Sequence, residues 1–285
     1  MRGRLRLGAA VDRLLCSSGY SRWVEAVDCS DGVRMILDTD EIQQKSLYWT
    51  GSYDRRAVEV LTRYLPDQGI FIDVGAGVGS ICLFVAGKCR EMDKKIDVYA
   101  FEPLRLNHDR LVRNAILNDL TDRVHCQRLA LGAEKGCLTL CFHGEVGAAA
   151  VVRSGSAIHE LAGPQTERVL CDTLDSWIAE QDLIRLDVLK VDIEGAEPLM
   201  FRGAMNSIER FRPIILGEFN HWWAARHGLS LTADCFNPLW ELGYRPFRLS
   251  SRRGPWEEIH GHPAPGPDME DTLWIYPAQA ASKGL

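Results

Sequence analysis

The sequence predicts an α/β fold: a mostly parallel sheet with helices on both faces. Three observations point there. Residues 70–74, Ile-Phe-Ile-Asp-Val, form a short and largely β-branched apolar run, which suits a strand covered on both sides. That run passes straight into Gly75, Gly77 and Gly79, and residues 81–86 then begin a helix. Further short apolar runs at 97–101, 124–129, 186–193 and 213–219 alternate with helical stretches, the order that builds a parallel sheet.

The elements follow in turn. Residues 23–27 and 33–37 are strand-like around the turn Ser30-Asp31-Gly32, giving a small β-rich entry segment. Residues 55–64 form an amphipathic helix that ends at 66–69, and helical periodicity returns over 104–120. Residues 137–142 and 149–152 read as extra antiparallel strands, 155–163 as a polar loop, 169–174 as extended, and 174–181 as a short helix. The strand at 186–193 leads into a helix reaching 205, and 232–242 is a further helix. Residues 244–249 and 272–276 pair antiparallel and close the sheet. Between them, 252–268 is a Pro/Gly-rich insertion holding His260-Gly261-His262. Two histidines at that spacing suit a metal, but no third ligand is near in sequence, so it reads as a surface loop. The expected division is a leader and cap at 1–58, one domain at 59–277 and a flexible tail at 278–285.

Composition narrows the function. The chain has 285 residues, is 46% hydrophobic and carries a formal charge of −6. No dense Lys/Arg run lies in its body, which argues against nucleic acid as a partner. Nine scattered cysteines without a CxxC pair suit reduced thiols in a cytoplasmic protein. No stretch reaches the roughly 20 apolar residues that span a bilayer. Residues 1–15 carry Arg2, Arg4, Arg6 and Arg13 and read as a solvated helical leader rather than a signal peptide.

The glycine stretch is GxGxG, with Ser80 where a dinucleotide fingerprint wants glycine. Glu102 ends the second strand of the pattern, where an acidic side chain accepts hydrogen bonds from both hydroxyls of a ribose. A nucleoside without a pyrophosphate, such as S-adenosylmethionine, fits both features.

Taken together, several motifs resemble the FkbM family of S-adenosylmethionine-dependent O-methyltransferases. They are Gly51-Ser52-Tyr53-Asp54, the segment Asp73 to Gly79, Phe101-Glu102-Pro103, Asn114 with Asn118, Ala130-Leu131-Gly132, Thr173-Leu174-Asp175, residues 213–218, and Lys190-Val191-Asp192-Ile193-Glu194-Gly195-Ala196-Glu197. The resemblance spans about residues 48–220, and its most specific element is Lys-x-Asp-x-Glu-Gly-x-Glu. Gly77 stands where the family often has asparagine, and Asp54 where it often has glutamate. The resemblance implies a class I methyltransferase fold: a Rossmann-like, seven-stranded, mostly parallel sheet with helices on both faces, here with a small N-terminal cap. It implies that Gly75, Ala76, Gly77 and Gly79 line the methionine end of the cofactor. Glu102 would hold the ribose, Ala130 would lie at the adenine, and Asp73 would brace the loop. Tyr53 and Asp54 would close over the cofactor from the cap.

Methyl transfer asks the protein mainly for alignment, because the sulfonium is already a strong electrophile. An alcohol must also lose a proton, so a base helps. Lys190, Asp192 and Glu194 alternate with period two and share a face if the strand extends that far. Asp192 would project over the cleft and Lys190 would pair with it. A carboxylate beside an ammonium is a weaker base, so Asp192 is read as orienting the acceptor or the cofactor amine. The candidate catalytic set is Asp192, Glu194, His221 and Lys190; Asp192 is also a cofactor candidate. Glu194, Glu197 and Glu218 admit a Mg²⁺ reading, set against a plainer one in which Glu194 and Glu197 stabilise a helix start. The expectation is no metal. Trp49, Trp222, Trp223 and Trp240 are candidates to wall an acceptor pocket. The acceptor is expected to be a small molecule or sugar, and homo-oligomerisation stays open. The rival readings are a nucleotide-dependent oxidoreductase and a non-catalytic binding protein on the same fold.

Overall fold

The computed structural model describes residues 23–39, 41–52, 54–142, 149–151, 165–249, 256–261, 263, 270–277 and 279. The leader, Tyr53, residues 155–163, His262 and all of the tail but 279 lie outside them.

The centre of the fold is β3 (Gly69–Val74), buried along its whole length. It pairs in parallel with β4 (Ile96–Phe101) on one side and β10 (Val188–Val191) on the other. β5 (Val124–Gln127) extends one side, and β11 (Ile214–Phe219) the other. β14 (Glu270–Ile275) then adds antiparallel to β11, followed by β12 (Arg245–Leu249) and β13 (Trp256–Glu258). Among the described residues this sheet has eight strands, one more than the seven expected. The extra strand comes from the insertion read as loop. An edge strand needs one partner only, and Trp256 packs its ring against the core while it pairs with Leu249.

A smaller sheet rides on the main one. Its order is β6 (Ala130–Leu131), β9 (Gln165–Asp172), β7 (Gly136–Phe142), β8 (Ala149–Val151).

Helices cover both faces of the main sheet. On one side lie α2 (Arg55–Tyr64), α3 (Cys82–Glu91) and α4 (Arg105–Leu117), packed on Phe71, Val98 and Val188. On the other lie α5 (Leu174–Glu180), α6 (Glu197–Arg202) and α7 (Met205–Phe211), packed on Ile72, Leu189 and Ile215. Alternate residues of each strand thus serve opposite faces, as the pleat requires. α2 starts where Asp54 accepts from the amides of Arg56 and Ala57, both at 3.0 Å, an N-cap.

The entry segment is a hairpin of β1 (Trp23–Asp28) and β2 (Arg34–Asp38). It is tied to the core by α4. Asn114 accepts from the Ile36 amide at 2.7 Å and donates to the Val78 carbonyl at 2.9 Å. Asn118 accepts from the Arg34 amide at 2.8 Å and donates to its carbonyl at 2.7 Å. The two asparagines act as a substitute strand for β2 and link the cap to the glycine loop.

Three expectations need correction. Residues 42–50 form a helix, α1 (Ile42–Thr50), where the sequence reading ran the β-rich entry segment over 20–47 and placed no helix. Its apolar residues lack helical spacing; its ends define it. Glu41 accepts from the amides of Gln43 at 3.0 Å and Gln44 at 2.7 Å, and Gly51 closes it with φ 72°. Residues 232–242 are not one regular helix: a π turn over Thr232–Phe236 leads into the short α8 (Asn237–Glu241). Pro238 lacks the N–H that a continuous ladder needs. The strand at 186–193 is shorter than read, ending at Val191, and Glu194 adopts φ 55°. Glu194 therefore leaves the strand face that Lys190 and Asp192 were expected to share with it.

Candidate active site

The carboxyl ends of β3, β4, β10 and β11 meet at one edge of the sheet, where ligands of open α/β sheets bind. Two cavities open there, of about 170 and 190 Å³. Ile81, Lys190 and Asp192 line both.

The first cavity is the glycine-loop cavity. Gly75 has φ 81°, and a Cβ there would lie 1.9 Å from the Asp192 carbonyl oxygen. Only glycine allows the loop to cross β10 so closely. Gly77, at φ 55°, has nothing within 4 Å of its Cβ position and lines the cavity. It leaves bare backbone open to a ligand. The amide of Gly77 donates to Glu102 Oε2 at 3.0 Å, and the amide of Leu104 to Oε1 at 2.9 Å. Burial pushes the Glu102 carboxyl up to about 7, against the pull of these two bonds, the Asn107 amide and Lys190. Leu129, Ala130, Leu138 and Leu140 form an apolar wall beyond it. Gln43, Gln44 and Leu47 of α1 close the cavity from the cap.

Asp73 is fully buried below the loop and lines neither cavity. The Lys190 ammonium sits 3.3 Å from Asp73 and 3.4 Å from Asp192, and donates to the Gly75 carbonyl at 3.2 Å. Bracing of the loop thus runs from Asp73 through Lys190.

The second cavity is acidic. Asp54, Asp192, Glu218 and Asp271 line it, with Lys190 as the one cation among its described lining residues. Glu218 and Asp271 are cross-strand neighbours on β11 and β14, where two like charges repel. Burial, then Asp192 and Glu194, push the Glu218 carboxyl up to about 7. Burial and the nearby Asp54, Glu218 and Asp192 hold Asp271 well above the usual range. Glu194 lines the first cavity, and burial with Asp192 beside it pushes it to about 7.

Glu197 is a brace. Its Oε1 accepts from the amides of Ile193 and Gly195, both at 3.1 Å, and holds the turn that presents Glu194. Burial drives it to about 8.

The structure does not bring every candidate together. His221 stands edge-on to Phe236 at 5.7 Å and lines neither cavity, and burial lowers its pKa. The four tryptophans line neither cavity either. Trp223 lies behind Gly195, Trp240 under Arg245, Trp49 edge-on to Tyr48, and Trp222 faces solvent. Tyr53 is outside the described residues. Gln43, Gln44, Asn107 and Asp271 were missed from sequence. Among the described residues no group of three or more His, Cys, Asp or Glu is placed to hold a metal ion.

These raised carboxyls set a pH dependence. Glu102, Glu194, Glu197 and Glu218 hold protons in the fold that the unfolded chain releases near 4.5. Stability from these groups is complete below that value and is lost as pH rises through 7 and 8. The thermal midpoint is expected to be higher at about pH 6 than at about pH 8.5. A midpoint that climbs over this interval contradicts the burial of these groups.

A parallel core with a glycine loop after β3, an acidic residue ending β4 and a final antiparallel β14 defines a class I methyltransferase fold. The sequence profile of the Methyltransferase FkbM domain matches residues 73–246, more than half of the chain, and the chain belongs to this methyltransferase family. Methyltransferase sdnD of Sordaria araneosa is 29% identical over 163 residues, covering 49% of this chain and 61% of that protein. Methyltransferase 1 of Beauveria bassiana is 27% identical over 152 residues, covering 48% of this chain and 59% of that protein. Each match thus spans less than two thirds of the relative's length. A crystal structure of Methyltransferase FkbM from Methylobacillus flagellatus KT overlaps with TM-score 0.44 and 18% identity, covering 74% of this chain and 44% of that one. The family assignment rests on the sequence match, since so loose an overlap carries no weight.

Proposed function

We propose that the chain is an S-adenosylmethionine-dependent O-methyltransferase acting on a hydroxyl of a small molecule or sugar. The observation that carries this is the meeting of the two cavities at Lys190 and Asp192. One cavity suits a nucleoside: bare backbone at Gly77, the Glu102 carboxyl for a ribose, and an apolar wall at Ala130 for a flat base. The other is lined with carboxyls that accept from hydroxyls and disfavour anionic acceptors, nucleic acid among them.

Bound S-adenosylmethionine would supply an electrophilic methyl group. The chain's own part is alignment and proton handling. Asp192 and Glu194 line the cavity where the cofactor's cationic end would lie, and a cation there favours the ionised form of Glu194. Asp192, fixed by Lys190, orients the acceptor hydroxyl. Glu218, with its carboxyl near neutrality, is matched to receive the hydroxyl proton. A cytoplasmic setting is part of the same reading, on the scattered cysteines.

The test is calorimetry with S-adenosylhomocysteine, followed by turnover with a panel of sugars and hydroxylated small molecules. Glu102→Ala is expected to lose about 2–3 kcal/mol of cofactor affinity. Unchanged affinity rejects the cofactor assignment, and tight NADH binding by the parent would favour the oxidoreductase. Products methylated only on nitrogen or carbon reject the hydroxyl.

A further inference from the structure

Three carboxyls of the acidic cavity stand in one row. β10 runs parallel to β3 and β11, with Val191 level with Val74 and Gly217. One residue further on, Asp192 is level with Gly75 and Glu218, and Glu218 pairs across to Asp271 on β14. The row thus starts beside the glycine loop and crosses three neighbouring strands, with about 5 Å between one carboxyl-bearing position and the next. Residues level with one another share a face of the sheet, and Asp192, Glu218 and Asp271 all line the cavity. Asp54 lines it as well, while Ala57, Ile81 and Leu216 supply its apolar surface.

The row has no cation to match it. Lys190 is the one cation among the described lining residues. Its ammonium is committed at the loop end, to Asp73, Asp192 and the Gly75 carbonyl. Among the described residues neither Glu218 nor Asp271 has an ion-pair partner. Two acids directly opposite on paired strands repel, and a local conflict of this kind belongs at a functional site. Burial, with Asp192, Glu194 and Asp54 around it and Lys190 opposing, raises Glu218 to about 7; burial with Asp54, Glu218 and Asp192 raises Asp271. A cation entering between them would draw off those protons. Among the described residues no three carboxyls converge on a metal position. Acceptors spread along a row suit instead an ammonium, which carries several N–H donors.

We propose that the acceptor is a cationic amino alcohol, an amino sugar where it is a sugar: its ammonium sits at the Glu218–Asp271 end of the row and its hydroxyl at Asp192, nearer the glycine loop. This rests on the reading of the acidic cavity as the acceptor site of an S-adenosylmethionine-dependent enzyme. The ammonium selects the acceptor against neutral sugars. It also favours the ionised Glu218, the form that can receive the hydroxyl proton. Ala57, Ile81 and Leu216 meet the carbons of the ring.

The experiment is calorimetry on the parent saturated with S-adenosylhomocysteine. The probes are trans-2-aminocyclohexanol and its neutral counterpart, trans-1,2-cyclohexanediol. Near pH 7 the amine is expected to bind about tenfold or more tightly than the diol, the scale of a hydrogen bond to a charged group. Asp271→Asn keeps the size, removes one charge and lifts the cross-strand repulsion. It is expected to cut the preference to less than about threefold while diol affinity stays within about twofold. Equal affinity for the two probes, or no binding of either at millimolar concentration, overturns the proposal. A variant that weakens both probes equally, with the preference intact, overturns it in favour of a packing role. Mg²⁺ that lifts diol affinity to that of the amine overturns it in favour of a metal-bridged acceptor. Turnover of the amino alcohol to an N-methylated product overturns it too, because the nitrogen would then be the methylated atom rather than the anchor. If Asp271→Asn fails to fold, the parent's preference still decides. A parent that does not bind S-adenosylhomocysteine rejects the cofactor reading and this proposal together, whereas a binding parent without the preference rejects the proposal alone.

Discussion

Replacing Lys190 with methionine is expected to cost about 3–5 kcal/mol of folding stability, the scale of removing one partner from a buried ion pair. Asp73 has no exposed surface, and the Lys190 ammonium lies 3.3 Å away. Burial pushes Asp73 up while Lys190 opposes that push. Without the lysine, the carboxyl must stay charged without its counter-ion or take up a proton, so the deficit grows as pH rises. Methionine keeps most of the stem volume, so the loss reports charge rather than packing. Asp73→Asn combined with Lys190→Met is expected to recover most of it, because the stranded charge is gone. Urea unfolding of the two single variants and the double variant measures the coupling. A Lys190→Met loss below about 1 kcal/mol, or a double variant no better than the single, would show that the pair does not hold the loop.

Asp192→Asn is expected to slow methyl transfer about 100-fold or more, the scale of losing an acid–base or orienting carboxylate. S-adenosylhomocysteine affinity should change by less than about threefold, since asparagine keeps the size and most hydrogen bonding. The split follows from position. Asp192 lies on the boundary between the two cavities, facing Glu218 and Asp54 across the acidic one. His221→Ala is the control. With its ring against Phe236, away from both cavities, it should leave kcat within about twofold. A large kcat loss at His221 with a mild one at Asp192 would move the proton-handling role to the histidine. If neither slows transfer, catalysis rests on alignment alone.

The parts that were legible from sequence are the local ones. The glycine loop and Glu102 are each read within a few residues, because a strand, a tight turn and a helix start leave short signatures. What the sequence hid was set by pairings distant along the chain. Asp271 reaches the acidic cavity only because β14 inserts beside β11, which puts Asp271 opposite Glu218; nothing near residue 271 announces that register. Glu194 was placed on the strand face by its period of two, yet its φ of 55° turns it off the strand. The turn is held by Glu197, a contact four residues away at most. Helix α1 escaped because its capping residues, not its apolar spacing, define it, and Gln43 and Gln44 went unread with it. Asn114 was noted as a motif residue; its use as a bridge between β2 and the glycine loop required both ends to be in view.

The late position of β14 has a consequence for synthesis. On the ribosome, β3, β4, β5, β10 and β11 are all complete by residue 219, so the nucleoside-binding half can pair its strands early. Residue 270 must emerge before β14 can cover β11, and β12 joins the sheet only through β14. Until then β11 presents a bare apolar edge, Ile214, Ile215 and Leu216, to any other strand in reach. A chain stalled or cut between 219 and 270 would bear a formed glycine loop and lack Asp271. Such a fragment would be a sticky, catalytically incomplete species, and holdase chaperones would be expected to capture it preferentially.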